Sequence, residues 1–261
     1  MYKNPSGFTP PVNHSGKIWK CFNFFEFIKM LNLNSLSFVN TKEFSSNNNI
    51  EVLIKNYIKN TKKWNYFINR INPIYGNFES NILKDYIKTF EEIKSKFFMS
   101  SWYMSDYESA AMWDICLKEN KHIMIQSSFD KLVKAFESNS LNSIWISTIN
   151  YLDYTSTIFD NINFLSLLIT KRKSFEYQNE LVVITKDENV TTHPFISKKK
   201  KYNNQEDEHD LNVNINLDIL IENIYLSHFI PDYESDIIES LLQKFDLQCR
   251  NRIVRGERNM F

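Results

Sequence analysis

Hydrophobic positions change their period several times along the chain, and each change predicts an element. KIWKCFNF (17–24) reads as a short strand, FFEFIKMLN (24–32) as one or two helical turns, and SLSFVN (35–40) as a second strand. Residues 50–71 and 79–97 place apolar side chains three and four apart: Leu53, Tyr57, Trp64, Phe67, Ile68 and Ile71, then Ile82, Tyr86, Phe90 and Ile93. That spacing belongs to two amphipathic helices, separated at Asn72-Pro73 and Tyr75-Gly76. SDYE (105–108) fits a capping box, with Ser105 at the N-cap and Glu108 reaching back, and predicts a helix through Met112, Trp113 and Ile115. KHIMIQSS (121–128) predicts a strand, FDKLVKAF (129–136) a helix, and the alternation in SIWISTINYLDY (143–154) one further strand. A helix is expected near 157–168 and a strand over 180–185. LDILIENIYLS (217–227) has mixed character. Pro231 and Asp232 open a helix that runs through Phe245, and QCRNRIVR (248–255) reads as an edge strand.

Strands with interspersed helices, followed by a strand-rich second half, predict an α+β domain. There is no internal repeat and no linker clean enough to divide the chain, so 1–261 reads as one domain. Residues 1–16 contain Pro5, Gly7, Pro10, Pro11 and Gly16 and read as an irregular arm. Residues 187–215 read as an exposed insertion loop. Within it, SKKKKYNNQEDEHD sets four lysines before a cluster of acids. One reading is a solvated loop; the other is a patch in which Lys198, Lys199, Lys200 and Lys201 guide a nucleic acid.

Composition narrows the function classes. Lys+Arg and Asp+Glu are both 31, which argues against bulk electrostatic binding to nucleic acid or membrane. No run approaches the roughly 18–20 apolar residues that span a bilayer, and the N-terminus lacks the apolar stretch of a secretory signal. Cys21, Cys116 and Cys249 are odd in number and far apart, and read as reduced thiols in a cytoplasmic protein. Four glycines give no G-x-G-x-x-G and no Walker A loop. His14, His122, His193, His209 and His228 are scattered, and no Cys or His pair has metal-ligand spacing. No metal is expected.

KRKSFEYQNELVVIT (171–185) raises a chemical question: why does a core-like strand begin with a carboxylate? In extended backbone, Gln178 and Glu180 share one face about 7 Å apart. A carboxylate there can bind a sugar hydroxyl and stabilise an oxocarbenium ion, while the carboxamide orients an acceptor. The alternative is a solvent-facing edge strand with two polar residues. Trp113 and Tyr103 either pack in the core or stack on a ligand ring. Ser127 and Ser128 precede a helix, and either can serve as its N-cap.

KIWKCF, SLSFVN, AAMWDIC, HIMIQSS, KRKSFEYQNELVV and IENIYLSHFIPDYESDIIESLL occur in that order from about residue 17 to 254. This order resembles a bacterial family, domain-of-unknown-function family 2971, and it resembles the R-S-E class of ADP-ribosyltransferases. The resemblance implies an ADP-ribosyltransferase-like domain of small mixed sheets with flanking helices and NAD in a cleft between two halves. It implies Glu180 as the catalytic carboxylate on the nicotinamide-ribose 2′-hydroxyl, with Gln178 two before it. Ser127 braces the pocket, Lys20 stands at the class's dinucleotide-gripping Arg, and Trp113 and Tyr103 stack on NAD. Two departures accompany it: Lys20 replaces Arg, and Q-N-E-L-V replaces the family's E-x-E-x-R. In that class, Q-x-E members tend to modify amides or nucleobases. The implied protein is a cytoplasmic toxin or phage-defence effector that uses NAD as co-substrate, with an RNA, DNA or protein acceptor and an antitoxin as partners and no membrane. The alternative is a degenerate nucleotide- or protein-binding member of the same fold.

Overall fold

The computed structural model describes residues 7–42, 52, 54, 78–137, 143–154, 164–186, 210–245 and 253–255. The first half runs β1 (Lys17–Phe22), α1 (Phe24–Leu33), β2 (Ser35–Asn40), α2 (Phe78–Lys94), β3 (Phe97–Met104), α3 (Ala110–Lys118), β4 (Ile123–Ser128) and α4 (Phe129–Ala135). Then follow β5 (Ile144–Thr148), β6 (Asn150–Leu152), α5 (Phe164–Leu168), β7 (Thr170–Arg172), a 3-10 turn (Lys173–Gln178) and β8 (Glu180–Lys186). β9 (Leu211–Asn214), α6 (Leu217–Leu220), β10 (Asn223–Leu226), α7 (Asp232–Lys244) and β11 (Ile253–Arg255) complete the order.

The fold is mixed α and β around a multistranded sheet. Nine strands pair in the order β11-β10-β4-β1-β3-β2-β9, with β8 on the other edge of β3 and β5 outside β8. Most pairs are antiparallel; β10–β11 is parallel, as is the separate β6–β7 pair. β3 is the hub. One edge pairs with β8 along its whole length, from Phe97↔Lys186 to Tyr103↔Glu180. The opposite edge is shared. β1 takes its end at Ile18↔Met104 and Trp19↔Tyr103, and β2 takes its beginning at Val39↔Met99 and Asn40↔Phe98. Residues 100–102 lie between the two registers with neither strand beside them. The sheet forks there, and α1 bridges the two arms.

Apolar alternation explains the layers. Ile18, Trp102, Ile125, Leu181 and Val183 face one side, where α1 buries Phe27 and Leu31 and α7 buries Ile238 and Leu242. On the other side, Trp19 and Met124 meet Met112, Trp113 and Cys116 of α3. Phe97, Met99, Val182 and Ile184 meet Phe8 and Ile169 on that second face. Each such side chain contributes about 1.5–3 kcal/mol relative to exposure.

Local signals were partly misread by the periodicity. SDYE does not cap a helix. α3 begins at Ala110 with Ser109 as N-cap and no side-chain cap bond. Ser105 Oγ donates to Tyr107 O, and the Glu108 carboxylate accepts the Trp113 indole N–H at 2.6 Å. The capping box lies instead at α1. Asn23 Oδ1 accepts from Glu26 N–H, and Glu26 accepts from Asn23 N–H. Among the described residues, three non-glycine residues take positive φ, and all are asparagines: Asn34, Asn120 and Asn179. In a glycine-poor chain, Asn is the residue that tolerates the left-handed region best.

Three boundary expectations also change. The strand expected over 143–154 divides, because Ile149 N–H turns to Glu180 O and Asn150 N–H to Ile169 O, which moves the chain from β8 to β7. The segment 187–215 is not a loop throughout. β9 pairs with β2, and Val213 and Ile215 are buried; residues 187–209, with the four lysines and His193 and His209, lie outside the described residues. The arm is irregular yet anchored. Phe8 is buried, Thr9 N–H donates to Ser147 Oγ, and Thr9 O accepts from Thr148 N–H. The expected helix over 50–71 lies almost wholly outside the described residues, as does Cys249. Among the described residues, no helix is long and apolar enough to cross a membrane.

Candidate active site

The fork opens into a cleft of about 530 Å³, within the range of small-molecule sites. β1, β2 and β3 supply its floor. α1, α3 and the segment around Lys171–Glu180 supply its walls.

Glu180 enters this cleft from the first position of β8. It is largely buried, with 13% of its side chain exposed. Lys171 Nζ lies 2.5 Å from Glu180 Oε2 and donates to Gln178 Oε1 at 3.2 Å. Tyr151 Oη donates to the same Glu180 Oε2 at 3.2 Å and accepts from the Glu180 backbone N–H at 3.0 Å. Burial, and then the charge of Glu180, push the Tyr151 phenol above its ordinary pKa, so it remains a donor. Oε2 takes both bonds, which leaves Oε1 for a ligand.

Gln178 and Glu180 do not share a strand face. Gln178 ends the 3-10 turn and Asn179 is left-handed at φ 39°, so extended backbone begins only at Glu180. Asn179 is tied down: its O accepts from Met104 N–H and its Nδ2 donates to Met104 O. The two side chains still meet, through Lys171 rather than through strand parity. A lysine only donates, so the Gln178 oxygen faces Lys171 and its NH2 group is left to a ligand.

The other end of the cleft has a different character. Lys20 Nζ reaches back across the fork to Ser101 O at 3.2 Å, capping a β3 carbonyl that lacks a strand partner. The Phe22 and Trp102 rings lie 5.7 and 5.9 Å from it. Burial, reinforced by nearby Lys121, lowers the Lys20 pKa to about 8. The remaining charges pair off: Lys29 with Asp210 at 3.9 Å, Lys121 with Glu119 at 2.7 Å, and Lys171 with Glu180. Glu26 serves the α1 cap. Among the described residues no carboxylate lies at ion-pair distance from Lys20; Glu26, Glu119 and Asp210 act on it from further off. Ser35, Ser100 and Ser101 also line the cleft, and their buried hydroxyls have no hydrogen-bond partner among the described residues. A buried cation without a carboxylate at ion-pair distance is costly, and an anionic ligand offsets that cost.

Not every expected site residue converges here. Tyr103 lines the cleft beside Glu180, its cross-strand partner. Trp113 does not; it is 3% exposed and packs against Trp19 and Met124. Ser127 is fully buried on the opposite face from Glu180, and its hydroxyl has no partner among the described residues. The N-cap of α4 is Ser128, which accepts from Lys131 N–H. The cysteines depart furthest from expectation: Cys21 and Cys116 are joined as a disulfide, with Cα atoms 6.0 Å apart. Among the described residues no group of three His, Cys, Asp or Glu could hold a metal ion. Lys171, Tyr151, Ser35 and Ser100 were not singled out by the sequence. Only the KRK triplet and the NYL alternation marked the first two.

No protein-family model, curated protein or solved structure matches this chain.

Proposed function

We propose that the cleft binds NAD and transfers its ADP-ribosyl group, with Glu180 as the carboxylate on the nicotinamide ribose. The observation that carries this reading is the pairing of two unlike ends in one cleft. A buried carboxylate with one oxygen available lies at one end, and an ammonium with no carboxylate at ion-pair distance lies at the other. β1 and β8 flank β3, so the two backbones stand about 10 Å apart. A ligand that joins a diphosphate to a ribose fits that separation. Glu180 Oε1 accepts the 2′-hydroxyl and opposes the positive charge that grows at C1′ as the bond to nicotinamide breaks. Tyr103 offers a ring face beside it, and Lys20 neutralises phosphate as a point charge, without the fork of an arginine.

The acceptor follows from Gln178 and Lys171. With its oxygen engaged by Lys171, Gln178 presents a donor, which suits a carbonyl or a ring nitrogen. The Lys171 charge repels a guanidinium. The reading is therefore an amide side chain or a nucleobase, with RNA or DNA favoured through Lys198, Lys199, Lys200 and Lys201, in a cytoplasmic toxin or phage-defence effector whose antitoxin is a partner protein. A second reading, nucleotide binding without turnover, is favoured by the Lys171–Glu180 ion pair, because a bound ammonium offsets the charge that the oxocarbenium ion needs. Incubation with labelled NAD and cell lysate, followed by separate nuclease and protease digestion, tests both. Label released by nuclease, or mapped to an amide, supports the transferase. Label on arginine overturns the acceptor assignment. Tight NAD binding with no label and no nicotinamide release supports the second reading.

A further inference from the structure

A disulfide facing a ligand cleft is more than a staple when three conditions meet: a thiol can reach it, the neighbouring charge favours thiolate, and the element it holds is otherwise lightly held. Cys21 and Cys116 satisfy all three. Both line the cleft, the route by which a small thiol would approach the bond. Cys116 is nearly buried at 5% exposure, whereas Cys21 is half-buried and is the sulfur open to attack. Lys121, whose backbone N–H donates to Cys116 O, lines the same cleft, and a cation there lowers the cost of a thiolate. The bond ties β1 to α3, a helix of nine residues whose noncovalent hold is the small cluster of Met112, Trp113 and Cys116 on Trp19 and Met124.

We propose that Cys21–Cys116 is a thiol–disulfide exchange site whose substrates are small thiols and dithiols, and that its reduction loosens α3 from the cleft wall. The incoming thiolate attacks Cys21 Sγ, the S–S bond breaks, and Cys116 leaves as a thiolate that takes a proton from solvent. A second thiol then attacks the mixed disulfide at the reductant's sulfur and releases Cys21. The two protein sulfurs are reduced by two electrons, and the reductant becomes its own disulfide. Oxidised, the wall is fixed. Reduced, α3 rests on packing alone and the Lys20 end of the cleft opens. This inference stands apart from NAD chemistry, since it concerns the wall and not the reaction.

The test uses the full chain, oxidised, in native buffer. Dithiothreitol or glutathione is added, alkylation with a mass tag counts thiols, amide exchange follows residues 110–118 and 180–186, and an acylating reagent reads Lys20. The expected result is reduction without denaturant and at least about tenfold loss of protection in α3, with β8 unchanged. Lys20 labelling should be several-fold faster, and all changes should reverse on reoxidation. The Cys116→Ser variant should match the reduced protein. If it does not fold, reduction of the parent chain still decides. A pair that resists reductant until the protein is unfolded overturns the proposal. So does reduction that leaves α3 exchange and Lys20 labelling unaltered, or reduction that removes protection from β8 as well.

Discussion

The two ends of the cleft solve opposite problems with the same kinds of group. At the Glu180 end, a buried carboxylate is answered by the protein itself, through Lys171 and the Tyr151 hydroxyl. At the Lys20 end, a buried ammonium has one backbone carbonyl, two ring faces and, among the described residues, no carboxylate at ion-pair distance, with Glu26, Glu119 and Asp210 acting only from further off. Coulomb attraction at close range offsets desolvation only when a partner is present. The first end is therefore complete without ligand, and the second is not. Under the proposed function, the self-satisfied charge serves positioning and chemistry and the other serves recruitment.

Four substitutions break or sharpen this contrast. The largest effect is expected for Glu180→Gln, which should keep the fold and NAD affinity and lower nicotinamide release by about two orders of magnitude. Chromatography of released nicotinamide checks it, and an unchanged rate would remove Glu180 from the chemistry. Next is Lys20→Met, which should weaken NAD binding by at least about tenfold, by titration calorimetry, yet stabilise the protein near neutral pH by up to about 3 kcal/mol. The sign follows from the lowered pKa. The folded state releases the proton near pH 8 and the unfolded chain only near 10.5. Between those values the unfolded chain binds more protons, so parent stability rises with pH and the advantage of the variant fades. Affinity of the parent for NAD should fall as pH climbs through about 8.

Lys171→Met inverts the contrast by leaving Glu180 uncompensated. A loss of about 2 kcal/mol is expected in urea unfolding at pH 7, discounted for the partial exposure of both groups. A loss within error would show that Tyr151 alone satisfies the carboxylate. The smallest effect is reserved for Ser127→Ala, which belongs to neither end. Removing an unpartnered hydroxyl from an apolar setting should stabilise by about 1 kcal/mol and leave NAD binding untouched. Weakened binding would return Ser127 to the pocket.

Sequence legibility divides along the same line as local and nonlocal structure. β1, α1, β2, β4 and α7 were readable because alternation and three-four spacing are written within a few residues. Glu180 was readable because a carboxylate at the head of Leu-Val-Val-Ile stands out against its surroundings. Gln178 was placed on the wrong geometry, since strand parity fails once Asn179 turns left-handed, and an Asn there was the available hint. Lys171 lay in view as part of a basic triplet, yet its contact with Glu180 depends on β7 folding back beside β8. The Cys21–Cys116 bond spans 95 positions, and no local pattern encodes such a meeting. Ser35 and Ser100 gained meaning only from the fork, which is a property of three strands at once.

The fork also dictates when this protein can become itself. β3 is flanked by strands made earlier, β1 and β2, but they hold only the two ends of one edge. Its full-length partner is β8, which leaves the ribosome long after it, and β5 docks only on β8. During synthesis the central strand must wait with one side bare, and early collapse is confined to β1, α1, β2 and β4. Nascent chains that stop before Lys186 should stay protease-sensitive, and chains that extend past it should gain resistance that is complete only once β9, β10 and α7 have joined the core. The carboxylate at the start of β8 thus arrives with the strand that covers the second edge of β3, so the Glu180 end of the cleft and the centre of the sheet are completed together.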